Sequence, residues 1–289
     1  MSTVLLAGGS GLIGSRLAEM LREKGYAVRI LTRSPDGGDQ YAWNPSAGTL
    51  DDSALKDIDY IVNLAGTGIA GKRWTTARKR DIVESRVQSA LTLRNALERT
   101  GLRPSAYLSA SAIGYYGNSG ERWMTEADAP VDDGFLSGCC RQWESVADGF
   151  AALGIRTVKF RIGVVLAREG GALAEFVKPL RFGIGGYFSD GQAWYSWIHR
   201  DDVSRFFIWA MENPGVEGVF NAVAPHPARN KDLLKAAAKA MRRAGIFVPA
   251  PAFALRLVLG EMSAVILNSN RVASEKSTKA GFEFQYPEL

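Results

Sequence analysis

The stretch Val4-Leu5-Leu6-Ala7-Gly8-Gly9-Ser10-Gly11-Leu12-Ile13-Gly14 most constrains what this chain can fold into. Val4 to Ala7 is a short apolar run that suits a buried strand. Gly8, Gly11 and Gly14 then form a G-x-x-G-x-x-G turn. Leu12, Ile13, Leu17 and Leu21 recur at helical spacing, while Arg16, Arg22, Glu23 and Lys24 are left for solvent. Gly25 ends the helix, and Ala27 to Leu31 begins a second apolar run. A strand, a glycine turn, a helix and a second strand in this order form a dinucleotide-binding unit. The first glycine permits the tight turn, the second lets the backbone approach a diphosphate, and the third lets helix and sheet pack closely. Free amides at the helix start then face the anion.

The end of the second strand selects the cofactor. An Asp or Glu there would take the ribose hydroxyls of NAD. This strand ends Leu31-Thr32-Arg33-Ser34, and a guanidinium beside a hydroxyl suits a 2′-phosphate instead. The prediction is NADP(H), held by Gly8, Ser10, Gly11, Leu12, Ile13, Gly14, Arg33 and Ser34.

Further along, Ile58 to Leu64 reads as a strand running into Asn63-Leu64-Ala65-Gly66. Small residues at that strand end let a nucleotide lie on the backbone, which adds Leu64, Ala65 and Gly66 to the cofactor set. A long helix is expected from about Thr76 to Arg99. Ala106 to Ser109 is the next strand, followed by Ser109-Ala110-Ser111-Ala112-Ile113-Gly114-Tyr115-Tyr116-Gly117. Hydroxyls and phenols there sit where open α/β sheets bind ligands. Ser109 is assigned to the cofactor, and Ser111, Tyr115 and Tyr116 to the substrate oxygen. Gly138 to Leu153 reads as a helix and Thr157 to Val165 as a strand. This alternation predicts an α/β fold, a Rossmann doubly wound parallel sheet.

After Leu166 glycines break the pattern, and an aromatic stretch from Trp194 to Asp202 follows, in which Trp197 and His199 are candidate substrate contacts. A structural hydrogen bond near a helix start is the competing reading of His199. Asp201 or Asp202 is the expected cap of a helix running to Met211. Gly218 to Val223 reads as a late strand, Lys231 to Ala244 and Arg271 to Ala280 as helices, and Phe282 to Phe284 as a last strand. The expected division is residues 1–166 plus strand 218–223 for the cofactor, and 167–217 plus 224–289 for a small α+β substrate domain.

With 289 residues the chain can bury a full core. Its net charge of +5 is a mild excess without a basic tail or a nucleic-acid module, so no nucleic-acid partner is expected. No apolar run reaches the roughly 20 residues of a membrane span, so no membrane partner is expected, and no signal peptide is read at the start. Cys139 and Cys140 are adjacent, which suits a reducing cytoplasm, and no Cys/His set has metal spacing. A monomer or a homodimer is expected.

The residues quoted resemble an extended short-chain dehydrogenase/reductase. Ala7 to Gly14, Asn63 to Gly66, Ser109 to Gly117, Arg161 to Leu166 and Ile198 to Asp202 correspond to its recurrent segments. More closely, Gly71-Lys72-Arg73-Trp74, Ser85-Arg86-Val87, Ala112 to Gly117, Arg161 to Leu166 and the tail from Val248 resemble the atypical epimerase-family branch of nucleoside-diphosphate-sugar epimerase-like proteins. The resemblance implies a Rossmann domain with a small C-terminal substrate domain, NADP(H), and a small-molecule substrate such as a nucleotide sugar or another carbonyl or alcohol. It also implies a Tyr-x-x-x-Lys pair, in which tyrosine exchanges a proton with substrate and lysine eases its ionisation. No tyrosine here has lysine four residues on. Phe135 and Cys139 stand at the two positions, and Arg86 stands where an asparagine is usual. Ser111 matches the superfamily's orienting serine, Tyr115 or Tyr116 is the replacement acid, Arg86, Lys72 or Arg73 the replacement cation, and Arg86 is also a candidate substrate contact. The expected function is therefore an NADP(H)-dependent oxidoreductase or epimerase with a non-standard site. The alternative is a non-catalytic NADP(H) sensor.

Overall fold

The computed structural model describes residues 1–243 and 246–289. Strand β1, Thr3–Ala7, is wholly buried. Helix α1 spans Leu12–Glu23 and buries Leu17, Ala18 and Leu21. Then follow β2 at Ala27–Thr32, β3 at Gln40–Asn44, β4 at Thr49–Leu50 and β5 at Tyr60–Asn63. Helix α2, Thr76–Thr100, is capped by the Thr75 hydroxyl, which accepts from Arg78 N at 3.1 Å, and ends at Gly101 in the left-handed conformation. Strand β6, Ala106–Ala112, helix α3, Phe135–Ala151, strand β7, Arg156–Ile162, helix α4, Arg200–Glu212, and strand β8, Gly218–Ala222, complete the frame.

The eight strands form one sheet in the order β8-β7-β6-β5-β1-β2-β3-β4. Every pairing is parallel except the terminal β3–β4 pair. Alternation along β1 divides the core. Val4 and Leu6 join the α1 and α4 side, and Leu5 and Ala7 join the α2 side. The carboxyl ends of β1, β5 and β6 lie side by side, with Ala7 opposite Asn63 and Asn63 opposite Ser109.

Several expectations change. The segment 35–57, read as loop-rich, contributes β3 and β4, because Trp43 turns inward and is buried. Helix α4 falls in the span expected for the smaller domain, yet Val203, Phe206 and Phe207 lie in the core cluster that holds α1. Phe282–Phe284 is not a strand. Phe282 stacks on Phe206 at 3.8 Å between ring centroids and Phe284 meets it edge-on, so aromatic packing replaces backbone pairing. Within Arg271–Ala280, Arg271–Val272 pairs with Trp123–Met124, and the helix is confined to Glu275–Lys279. The helix begun at Asn230 runs to Ala240, and its predicted end at Ala244 lies outside the described residues. Among the described residues no helix is long and apolar enough to cross a membrane.

Candidate functional site

The glycine turn is closed on itself. Gly11 N donates to Gly8 O at 3.0 Å, and Gly8 has φ +83°. A Cβ on Gly14 would stand 2.2 Å from Gly8 O, and one on Gly8 would stand 2.8 Å from the Leu64 carbonyl carbon. Side chains at either position would fill the space through which turn, helix and β5 approach. Gly11 caps α1 in extended conformation without a side-chain acceptor, so the first amides of α1, from Leu12 on, are open to an anion. Ser10 and Gly11 are exposed, and Leu64 and Ala65 half-buried. At the end of β2, Arg33 and Ser34 are exposed, and among the described residues Arg33 has neither an ion-pair nor a hydrogen-bond partner. This cradle fits a dinucleotide diphosphate, with an uncommitted cation at its rim. Ser109 does not belong to it. That side chain is fully buried and its hydroxyl donates to Ala110 O at 3.0 Å.

A second set of groups converges where β6 leaves the sheet. Ser111 on β6 is in register with Arg161 on β7. Glu144 of α3 receives two guanidinium bonds from Arg161, each 2.9 Å, and the Ser111 hydroxyl at 2.6 Å. Arg161 also donates to the Tyr116 hydroxyl at 3.1 Å, which donates to Asn221 Oδ1 at 2.7 Å. Asn221 in turn donates to Ala273 O at 3.0 Å. All five side chains are buried. Burial alone would lower the proton affinity of Arg161, but the Glu144 carboxylate outweighs it and the net shift is upward. Burial pushes the Tyr116 phenol up to about 12, against the opposing pull of Arg161 and Asn221. This enclosed phenol, whose proton is bonded to Asn221, holds β6, β7 and β8 together and has no free hydrogen or exposed surface for a substrate. Tyr116 is thus removed from the catalytic candidates. Ser111 is present in the site, but its proton is committed to Glu144.

Tyr115 is different. It is half-buried, its ring lies over the Arg161 guanidinium at 3.3 Å, and it meets Tyr116 edge-on. Among the described residues its hydroxyl has no partner. Of the three expected catalytic groups, it alone keeps a free oxygen.

Arg86 of α2 projects to the end of β5. It donates to Thr67 O at 3.0 Å and Ile82 O at 2.8 Å, and its guanidinium lies 5.0 Å from the Trp143 ring. No carboxylate reaches it among the described residues. Burial lowers its proton affinity, and the nearby Cys139 and Cys140 thiols act in the opposite direction. Phe135 packs edge-on against Trp74 at 4.7 Å, in a cluster that contains Cys139. Burial raises both thiols, Cys140 to about 12, so neither is a thiolate nucleophile near neutrality.

The aromatic stretch is structural. Trp197 is 2 % exposed and its indole donates to His226 O at 2.9 Å, so it has no surface left for a substrate. The imidazole of His199 caps α4 by accepting from Asp201 N, and its ring lies 3.9 Å from that of Tyr286. The expected caps are used elsewhere. Asp201 pairs with Arg16, and buried Asp202 accepts from Gln285 N and Tyr286 N, tying the C-terminal segment to α4. Glu144 and Asn221 escaped sequence reading. A visible signal existed for Glu144: it interrupts the apolar stripe of α3 while Arg161 interrupts an apolar strand, and two such interruptions can pair.

Comparison with known proteins points to the same fold. Residues 4–136 match the model of the NAD dependent epimerase/dehydratase family, and 250–289 match a domain of unknown function, DUF1731. The epimerase family protein YfhF of Bacillus subtilis is 36 % identical over 99 % of this chain and 95 % of its own length. The human epimerase family protein SDR39U1, solved with NADPH, superposes with a TM-score of 0.89 at 30 % identity, covering 99 % of this chain and 96 % of that one. The UDP-glucose 4-epimerase of Thermus thermophilus, solved with NAD, has a TM-score of 0.76 at 19 % identity over 98 % of this chain and 94 % of that one, a likeness of fold.

Proposed function

This chain belongs to the epimerase family of NAD-dependent epimerases and dehydratases, and from that premise we propose that it is an NADP(H)-dependent oxidoreductase or epimerase with a rearranged proton-transfer site. The cofactor-binding unit is residues 1–166 with helix α4 and strand 218–223, and the substrate is a small alcohol or carbonyl compound, of which nucleotide sugars are one class, seated between that unit and the rest of residues 167–289. The observation that carries the reading is the glycine cradle with the uncommitted Arg33 at its rim, at the same edge of the sheet as Tyr115, whose phenol is free among the described residues.

NADP(H) would supply or accept a hydride. Gly8 to Gly14 would hold its diphosphate through main-chain amides, and Arg33 with Ser34 would bind its 2′-phosphate. The NADPH in the crystal structure of the human epimerase family protein SDR39U1 supports the choice of the phosphorylated cofactor. Arg33→Ala is expected to remove charge-assisted bonds worth about 1.5–3 kcal/mol. NADPH affinity should then fall about 10- to 100-fold, while NADH affinity stays unchanged. Fluorescence titration of the purified protein with each nucleotide measures this. Equal affinity of the unaltered protein for both nucleotides would refute the assignment.

Ser111 is buried with its proton held by Glu144, so it can only accept from the alcohol form of the substrate and donates nothing to a carbonyl oxygen. At the reacting oxygen, Tyr115 exchanges the proton. The Arg161 guanidinium stacked under its ring holds the ring in place with its hydroxyl uncommitted. Arg86 places a positive charge close to Cys139, where the missing lysine would have stood. Tyr115→Phe keeps the stacking and removes the proton, so NADPH-dependent turnover of a carbonyl panel should drop about 10²- to 10⁴-fold without loss of NADPH binding. Undiminished turnover would exclude Tyr115.

A specific observation favours a second reading. The hydroxyls of Ser111 and Tyr116 are spent on internal bonds, and Phe135 and Cys139 lack proton-transfer chemistry. Such a site suits a non-catalytic NADP(H) sensor, and absence of turnover over a broad panel together with tight NADPH binding would select it.

A further inference from the structure

Far along the chain, the strand Ile184–Phe188 pairs in parallel with Ile246–Ala250, and Ile184 lies opposite Ile246. One face of this ribbon is packed, since Tyr187 and Phe247 cover Leu180 and Leu234. The other face is covered only at Phe188, which meets Phe176; toward its start Ile184 is 50 % exposed, Ile246 74 % and Val248 41 %. Phe182, at the entry to the ribbon, is 85 % exposed. Through Pro251 the second strand leads into the helix Ala252–Leu259, where Phe253 and Leu257, one turn apart, are 73 % and 78 % exposed. So many large apolar side chains standing clear of the body mark an interaction surface.

The charges next to them in sequence are arginines, the nearest acids being Asp190 at the far end of the ribbon and Glu261, which pairs with Lys79. Arg181 precedes Phe182, Arg242 and Arg243 precede Ile246, and Arg256 lies between Phe253 and Leu257. All four arginines are exposed. Among the described residues none of them has a carboxylate within ion-pair distance. A run of 22 residues, Ala238 to Leu259, contains no acid.

We propose that this face docks on an anionic lipid surface, with the apolar side chains entering the headgroup boundary and the four arginines binding lipid phosphates. Projecting side chains suit a deformable interface better than a groove in a folded partner. Arginines bordering Phe and Leu can bury their stems in the apolar layer and keep their charge at the phosphates. A second copy fits less well, because a two-fold contact would bring the same uncompensated arginines face to face. The expectation of no membrane partner rested on the absence of a spanning segment, and peripheral docking needs none.

The test is cosedimentation of the full chain with phosphatidylcholine vesicles, with and without phosphatidylglycerol. The wild-type chain should sediment with the anionic vesicles alone and be released by high salt. The triple variant Arg181→Glu/Arg242→Glu/Arg243→Glu and the double variant Phe253→Ser/Leu257→Ser should each weaken binding at least about tenfold. Both substitute exposed positions, and an unchanged circular-dichroism melt and NADPH titration verify that they fold. Failure to bind anionic vesicles at low salt overturns the proposal, as does binding that both variants retain. A concentration-dependent dimer that the double variant abolishes would assign the face to a second copy, and likewise overturn it.

Discussion

Glu144→Ala should lower the free energy of unfolding by about 3–5 kcal/mol, because it leaves the Arg161 guanidinium buried without its carboxylate. The effect is large for three reasons. The pair is almost out of water, with side chains 4 % and 7 % exposed. Two parallel bonds of 2.9 Å are lost together with the acceptor of the Ser111 hydroxyl. The guanidinium also supports the Tyr116–Asn221 bond, so the loss spreads to β8 and to Ala273. Urea unfolding followed by circular dichroism measures the difference. An exposed pair provides the contrast: breaking Lys24–Glu212, whose side chains are 50 % and 39 % exposed, should change stability by less than about 1 kcal/mol. If the two variants are equally stable, the buried network does not hold the strand ends in place.

Gly14→Ala should weaken NADPH binding about 100-fold or more, because a misplacement on the order of 1 Å is enough to spoil a preorganised site. The added methyl would lie 2.2 Å from Gly8 O and 2.9 Å from Gly9 Cα, both main-chain atoms that cannot rotate away. Either α1 moves off the sheet or the turn opens, and both displace the amides that face the diphosphate. Gly138→Ala is the control. That glycine is in α3, a built Cβ meets nothing within 4 Å, and the substitution should leave binding unchanged and stabilise the helix slightly. Fluorescence titration with NADPH reads both variants. Full affinity in Gly14→Ala would mean that the glycine turn does not hold the cofactor.

The cofactor half of this protein is legible in its residues because its physics is local. The turn from β1 into α1 needs glycines at fixed spacing, and the helix start presents its amides wherever such a turn occurs. Val4–Ala7, the α1 stripe and Arg33 at the end of β2 all lie within one short stretch, so sequence order alone places them together. The absence of a Tyr-x-x-x-Lys pair is equally a property of the residues themselves.

The other half was decided by distance along the chain. Tyr115 and Tyr116 are neighbours with the same side chain, and no local pattern separates them. Packing does: Tyr116 turns in to Arg161 and Asn221, far downstream of it, and becomes a fixed phenol, while Tyr115 lies across the same guanidinium with its hydroxyl free. His199 could face a substrate or cap a helix, and the arrival of Tyr286 and the start of α4 fixed it as a cap. Trp197 was enclosed by the chain around His226. The residues by themselves determined the fold class, the glycine cradle and the cation at its rim, whose geometry is set by nearest neighbours. Which hydroxyls remain free for chemistry depended on burial and on partners brought together only by the assembled sheet.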